Sequence, residues 1–147
     1  MISKEIILRV GPEEVWHYIN SDELLSELWH SKIKRDSKNR RLLKLVDTGD
    51  SVKITKLLPP NLISFFGGYG TLPLTTTMAI SEKRIGTALK ISVSGWENID
   101  SNELRHKVPI LSYEWEERLT SMKKSIESRQ FPAIESFAIM PDKSESS

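Results

Sequence analysis

Pro12-Glu13-Glu14-Val15-Trp16-His17-Tyr18-Ile19-Asn20-Ser21-Asp22-Glu23-Leu24-Leu25-Ser26-Glu27-Leu28-Trp29 reads as two short helices in tandem. Gly11 is a tolerable N-cap, and Pro12 suits the first helical position, where its missing N–H costs nothing. Glu13 and Glu14 then sit at the positive end of the helix dipole. Val15, Trp16 and Ile19 form one apolar stripe. Ser21 can cap a second helix, on which Leu24, Leu25, Leu28 and Trp29 repeat at helical spacing. A strand precedes the pair (Ile2 to Val10, rich in β-branched residues). Two helices wedged between the first and second strands of a β-rich chain suggest a sheet that curls around a longer helix.

Working outward, Ser31 to Arg41 is polar and breaks the pattern. Leu42 to Val46 reads as a strand, Asp47-Thr48-Gly49-Asp50 as a turn, and Ser51 to Leu58 as a strand stopped by Pro59-Pro60. Leu62 to Phe66 follows and ends at Gly67-Gly68-Tyr69-Gly70. Leu74 to Glu82 and Thr87 to Gly95 complete an antiparallel meander. Beyond Trp96 the period changes: Leu111, Trp115, Leu119, Met122 and Ile126 step as on an amphipathic helix facing a core. Pro109 is expected in its first turn, with His106 in the loop before it. Acidic residues cluster towards its start and Lys123, Lys124 and Arg129 towards its end, complementing the dipole. The expectation is one α+β domain over residues 1–129, with a curved antiparallel six-stranded sheet wrapped around a long C-terminal helix. Residues 130–147 are a separate tail.

The order of elements resembles the helix-grip superfamily of START lipid-transfer domains and the birch-pollen allergen. Within it, the chain is similar to the family related to the C-terminal domain of the activator of the heat-shock-protein-90 ATPase. Four places carry the likeness: Pro12 to Trp16 with Ser21 to Leu25 and Trp29; Leu58-Pro59-Pro60-Asn61-Leu62-Ile63-Ser64-Phe65; Gly86 to Ile91 through Gly95-Trp96; and Trp115 to Ile126. The charged run Lys32 to Arg41 stands where such proteins often show a glycine-rich hairpin. The resemblance implies a helix-grip fold with an interior cavity, and a partner-binding role of the co-chaperone, stress-response kind.

At 147 residues the chain is long enough for one well-buried core, and its net charge of +1 gives no wholesale attraction to nucleic acid or membrane. There is no cysteine, which excludes disulfides, thiolate metal sites and cysteine nucleophiles. The N-terminus lacks a signal-peptide h-region, and no apolar run is long enough to span a bilayer. A cytoplasmic protein without cofactor or metal is expected.

His17, His30 and His106 are the side chains closest to neutral pKa, and no two of them make a metal-ligand spacing. Surface histidines fit that pattern as well as acid–base groups do. No nucleophile elbow is present, and Gly67-Gly68-Tyr69-Gly70 lacks the Lys-Ser/Thr of a phosphate loop. Phe66 (or Phe65), Tyr69, Thr76, Met78, Ile91, Trp96, Trp115 and Leu119 are expected to line the interior. They would bind an apolar ligand if it is hollow and form the core if it is packed. Ser92 could help orient a ligand.

Lys32, Lys34, Arg35, Lys38, Arg40, Arg41 and Lys44 form a basic run suited to an acidic protein surface, or to an edge strand that resists aggregation. In the tail, Phe131, Ile134, Phe137 and Ile139 make an apolar strip. Pro132 and Pro141 are expected to keep it from continuing the helix. It would dock on its own domain or on a second copy in a homodimer.

Two functions stand. The first is a non-enzymatic domain binding a small apolar ligand or a partner such as a chaperone. The second is a cyclase- or hydratase-type enzyme pairing His30 or His106 with Tyr69 or Tyr113 in the cavity.

Overall fold

A computed structural model describes residues 2–139, with side chains to residue 128. Strand β1 (Ile2–Leu8) leads into helices α1 (Pro12–Ile19) and α2 (Asp22–Trp29). Strands β2 (Ser31–Arg35), β3 (Arg41–Leu45), β4 (Ser51–Leu58), β5 (Leu62–Gly67), β6 (Thr75–Lys83) and β7 (Gly86–Ser94) follow. A 3-10 turn (Trp96–Asn98) precedes the long helix α3 (Ser101–Ile139). The sheet has seven strands in the order β1-β7-β6-β5-β4-β3-β2, every pair antiparallel.

The tandem helices are as the sequence leads one to expect. Pro12 opens α1, burying Val15 and Ile19. Ser21 Oγ accepts the Leu24 N–H at 3.2 Å and so caps α2, which buries Leu24, Leu25, Leu28 and Trp29. His30 ends α2 in the left-handed region, φ 50°, and the chain turns directly into β2.

That strand corrects the expected six. Ser31 to Arg35 pairs with β3 over its whole length. Its alternation was hidden because the single large apolar side chain on the inward face is Ile33, while Lys32 and Lys34 point outward at the sheet's edge. A second correction concerns α3. It begins at Ser101, with Asp100 Oδ2 accepting the Asn102 N–H at 3.0 Å. His106 is therefore helical, and Pro109 lies well inside the helix, where it leaves the Arg105 carbonyl without its usual donor. Leu104, Val108 and Leu111 pack on the core edge at helical spacing. The helix also continues through Pro132 to Ile139, so the break expected there is not made. The docking expected of the tail concerns side chains outside the described residues.

Period-two alternation sorts the sheet. Ile63 and Phe65 of β5, Thr76, Met78 and Ile80 of β6, and Leu89, Ile91 and Val93 of β7 are buried on the concave face. From α3, Trp115, Leu119, Met122 and Ile126 close the same core. Two polar links fix α3 along β1 and the residue that follows it. Lys4 Nζ lies 3.3 Å from Glu116, and the buried Glu127 carboxylate accepts the Arg9 backbone N–H at 2.9 Å.

Trp115 is fully buried. Trp115→Ala should therefore cost about 3–5 kcal/mol of stability, read from urea melts at unchanged slope. A melt within error of the parent would mean α3 is not seated on the sheet.

Candidate functional site

The middle of the fold is an aromatic cluster built from four elements. Trp29 ends α2, Phe65 lies on β5, Tyr69 on the β5–β6 loop and Trp115 on α3. Ring centroids stand 5.4 Å apart for Trp29 and Phe65, 6.1 Å for Trp29 and Tyr69, and 5.3 Å for Trp29 and Trp115. The last two pairs meet edge-on, the arrangement that aromatic quadrupoles favour.

Glycine makes this closeness geometrically feasible. Gly67 and Gly68 both have positive φ, 102° and 92°. A Cβ on Gly68 would lie 2.8 Å from the Val52 side chain and 3.1 Å from the Trp29 ring. The pair that fails as a phosphate loop is instead what lets the chain run over Trp29 and deliver Tyr69.

Tyr69 then joins the layers. The Trp115 indole N–H donates to the Tyr69 hydroxyl at 2.9 Å, and that hydroxyl shares a 2.6 Å hydrogen bond with the Thr76 hydroxyl. Burial pushes the Tyr69 phenol above its usual pKa, against the two hydrogen bonds and the nearby Arg118 charge, which pull it down. The Trp29 indole N–H and the Ser31 hydroxyl are buried with no hydrogen-bond partner among the described residues.

With the middle filled, open space lies beside it. A groove of about 330 Å³ runs between α2 and α3, lined by Leu24, Glu27, Leu28, Glu117, Arg118, Ser121, Met122 and Ser125. Leu24, Leu28 and Met122 give it an apolar floor. Arg118 lines it beside the aromatic cluster, its guanidinium 4.8 Å from the Trp115 ring centroid and 5.7 Å from that of Trp29. Arg118 forms no ion pair among the described residues.

The eight residues expected to line the interior divide accordingly. Tyr69, Thr76 and Trp115 meet through hydrogen bonds. Met78 and Ile91 are register partners on the concave face, and Leu119 is buried against it. Phe66 points the other way: it is 42% exposed on the convex face, and Phe65 takes the inward place. Trp96 is buried at the end of β7, its indole N–H donating to the Val93 carbonyl at 2.8 Å.

Sequence reasoning missed Trp29 in the aromatic cluster, and it missed the groove, since none of the eight expected residues is among those lining it. Arg118 follows Trp115 by three residues, which stacks the two on one helix face. Of the acid–base candidates, His30 is 70% exposed and 3.6 Å from Asp47. His17 and His106 are exposed, and so is Tyr113. None of the hydrogen bonds described brings a histidine to Tyr69 or Tyr113.

Tyr69→Phe should destabilise the fold by about 1–3 kcal/mol, because Trp115 keeps a buried N–H and loses its acceptor. The raised phenol pKa adds a pH signature. Its stabilising share is complete below the ordinary value of 10.0 and is lost as pH rises through the higher folded value. The gap between parent and variant in denaturant melts should therefore narrow in strongly alkaline buffer. A gap that stays constant would argue against a buried phenol.

No family model matches the chain, and no curated protein matches it. Solved structures do. The Aha1 dimer from Colwellia psychrerythraea is 18% identical over 86% of this chain and 95% of that one, with a TM-score of 0.65. PFC0360w, an HSP90 activator from Plasmodium falciparum, is 18% identical over 87% and 97%, with a TM-score of 0.62. DynU16, from the dynemicin biosynthetic locus, is 14% identical over 86% of this chain but 46% of its own length, with a TM-score of 0.66. At such identities the likeness is one of fold, and it carries the helix-grip arrangement read from the tandem helices and the closing helix.

Proposed function

We propose that this protein is a non-enzymatic binding domain that holds a small, largely apolar ligand in the groove between α2 and α3. The observation that carries the reading is the groove itself. It has a floor of Leu24, Leu28 and Met122, and hydroxyls at Ser121 and Ser125. Its lining includes an arginine held over two indoles without an ion pair among the described residues. Its volume falls at the lower end of the range for small-molecule sites, and a few placed polar groups around apolar walls are the usual composition of such a site. The ligand body would lie on the floor, with a hydrogen-bond acceptor towards Arg118.

The enzyme alternative, a cyclase or hydratase, finds less support. The titratable groups lining the groove are Glu27, Glu117 and Arg118, and both glutamates are exposed. A general acid or base is more effective when its pKa is tuned by burial. Partner binding of the co-chaperone kind is the second reading, favoured by the fold shared with an HSP90 activator. It predicts that the purified protein raises the turnover of a heat-shock ATPase. The reading keeps the protein in the cytoplasm. It leaves a homodimer as a further expectation, testable by light scattering with and without residues 130–147.

Native mass spectrometry of freshly purified protein should reveal a retained small molecule. A naphthalene-type fluorescent probe should bind and alter tryptophan emission, since Trp29 and Trp115 lie beneath Arg118. Ser121 is exposed on the groove wall, so Ser121→Trp should fill the groove without disturbing the core. Probe affinity should fall by about tenfold or more, equivalent to about 1.4 kcal/mol. Unchanged probe binding in that folded variant would sink the groove as the site.

A further inference from the structure

The convex face of the sheet carries a second feature, independent of the groove. Strand register puts Lys32 of β2 directly opposite Lys44 of β3. One row along, Lys34 faces Leu42, which faces Lys53 of β4, which faces the exposed Phe66 of β5. All four lysines are exposed, and none forms an ion pair among the described residues. The Lys44 ammonium lies 3.2 Å from the Gly49 carbonyl, a neutral acceptor.

The neighbouring arginines differ. Arg35 and Arg41 both reach Asp22, at 3.0 and 3.3 Å, and Arg40 reaches Asp36 at 2.8 Å. Asp36 also accepts the N–H groups of Lys38 and Arg40, both at 2.9 Å, which fixes the β2–β3 turn. The hairpin's three arginines are therefore each paired with a carboxylate, Asp22 of α2 or Asp36, while its outward lysines are not paired among the described residues.

Like charges directly opposite one another on paired strands are unfavourable. Lysines guarding an open sheet edge would explain Lys32 and Lys34 on β2. They would not explain Lys44 and Lys53, because β3 and β4 are paired on both sides. Beside the patch, next to Phe66, is a depression of about 310 Å³ walled by Lys53, Gly67, Gly68, Leu72 and Pro73. The carboxylate on its rim, Asp50, is bonded to the Gly70 N–H at 3.2 Å.

We infer that the convex face of β2, β3 and β4 is a docking surface for an acidic polypeptide segment of a partner protein, with an apolar side chain of that segment seated beside Phe66. Carboxylates of an extended segment would answer the lysines, whose spacing along and across the strands is about 5–7 Å. The apolar contact sets register. A long polyanion such as nucleic acid fits less well. The net charge is +1, Glu103, Glu114, Glu116 and Glu117 line part of α3, and a single aromatic offers no stacking platform.

The test uses the full chain and a fluorescein-labelled oligoglutamate peptide with one central leucine, followed by anisotropy. Binding should weaken as salt rises. Lys44→Ala with Lys53→Ala should cost about tenfold in affinity at low salt. Phe66→Ala should weaken binding without changing the salt dependence. Lys124→Ala, on the exposed side of α3, should have no effect. The lysine variants should melt no lower than the parent, which separates lost docking from lost folding. Peptide binding that is absent, or unchanged in the double variant, overturns the inference. So does a single-stranded oligonucleotide or an anionic vesicle bound more tightly through the same lysines. Naphthalene-probe uptake by the α2–α3 groove reads out separately, so failure of either site leaves the other standing.

Discussion

The hydrogen bond from the Trp115 indole to the Tyr69 hydroxyl is the joint on which this fold turns. It ties the last helix to the β5–β6 loop, and the continuation to Thr76 ties that loop to the middle of the sheet. A hydrogen bond between neutral groups contributes only about 0.5–1.5 kcal/mol net. Its larger effect is positional. Three polar side chains on separate elements, Trp115 and Thr76 buried and Tyr69 partly so, satisfy one another only when helix, loop and strand sit at one spacing. Apolar packing around them is tolerant of small shifts, whereas this relay is not.

That constraint decides where a ligand can go. A sheet curled around a helix holds its ends together and its middle apart, and the space between must be filled or left open. Here Trp29, Phe65 and Trp115 fill it, with Gly67 and Gly68 letting the loop close over them. The open volume moves to the flank, between α2 and α3, where Leu24, Leu28 and Met122 face one another without large aromatics. The position of the groove follows from the bulk of the residues behind it. On the opposite side of the sheet, the same alternation that turns Phe65 inward turns Phe66 and the lysines outward, so the two surfaces can act independently.

Much of the architecture was legible in the residues. The tandem helices, the meander and the inward face of α3 follow from periodicities of 3.6 and 2 over stretches rich in large apolar groups. β2 was not legible because an edge strand needs little apolar content, and its inward positions hold only Ser31 and Ile33. The start of α3 was hidden by Pro109, which usually marks a first turn and here sits past Leu104 and Val108. The buried aromatic cluster was half legible, and the lining of the groove was not. Tyr69, Thr76 and Trp115 came from their placement on inward elements. Phe66 was the wrong member of an adjacent pair, since the alternation set by Ile63 assigns Phe65 to the core. Trp29 depends on which elements approach in space, which no local period encodes, whereas Arg118 shares a helix face with Trp115 at a three-residue step.

The edge-on contact of Trp29 and Trp115 has a spectroscopic consequence. Two indoles whose centroids are 5.3 Å apart, at 85° between planes, are close enough for their electronic transitions to couple. They belong to helices distant in sequence, so the coupling exists only when α2 and α3 are both seated. The near-ultraviolet circular dichroism of this protein should thus carry a contribution from this one tertiary contact, fading when side-chain packing loosens even if helices and strands persist. The indole pair makes the order of the groove's two walls visible in the protein's own absorption, without a label.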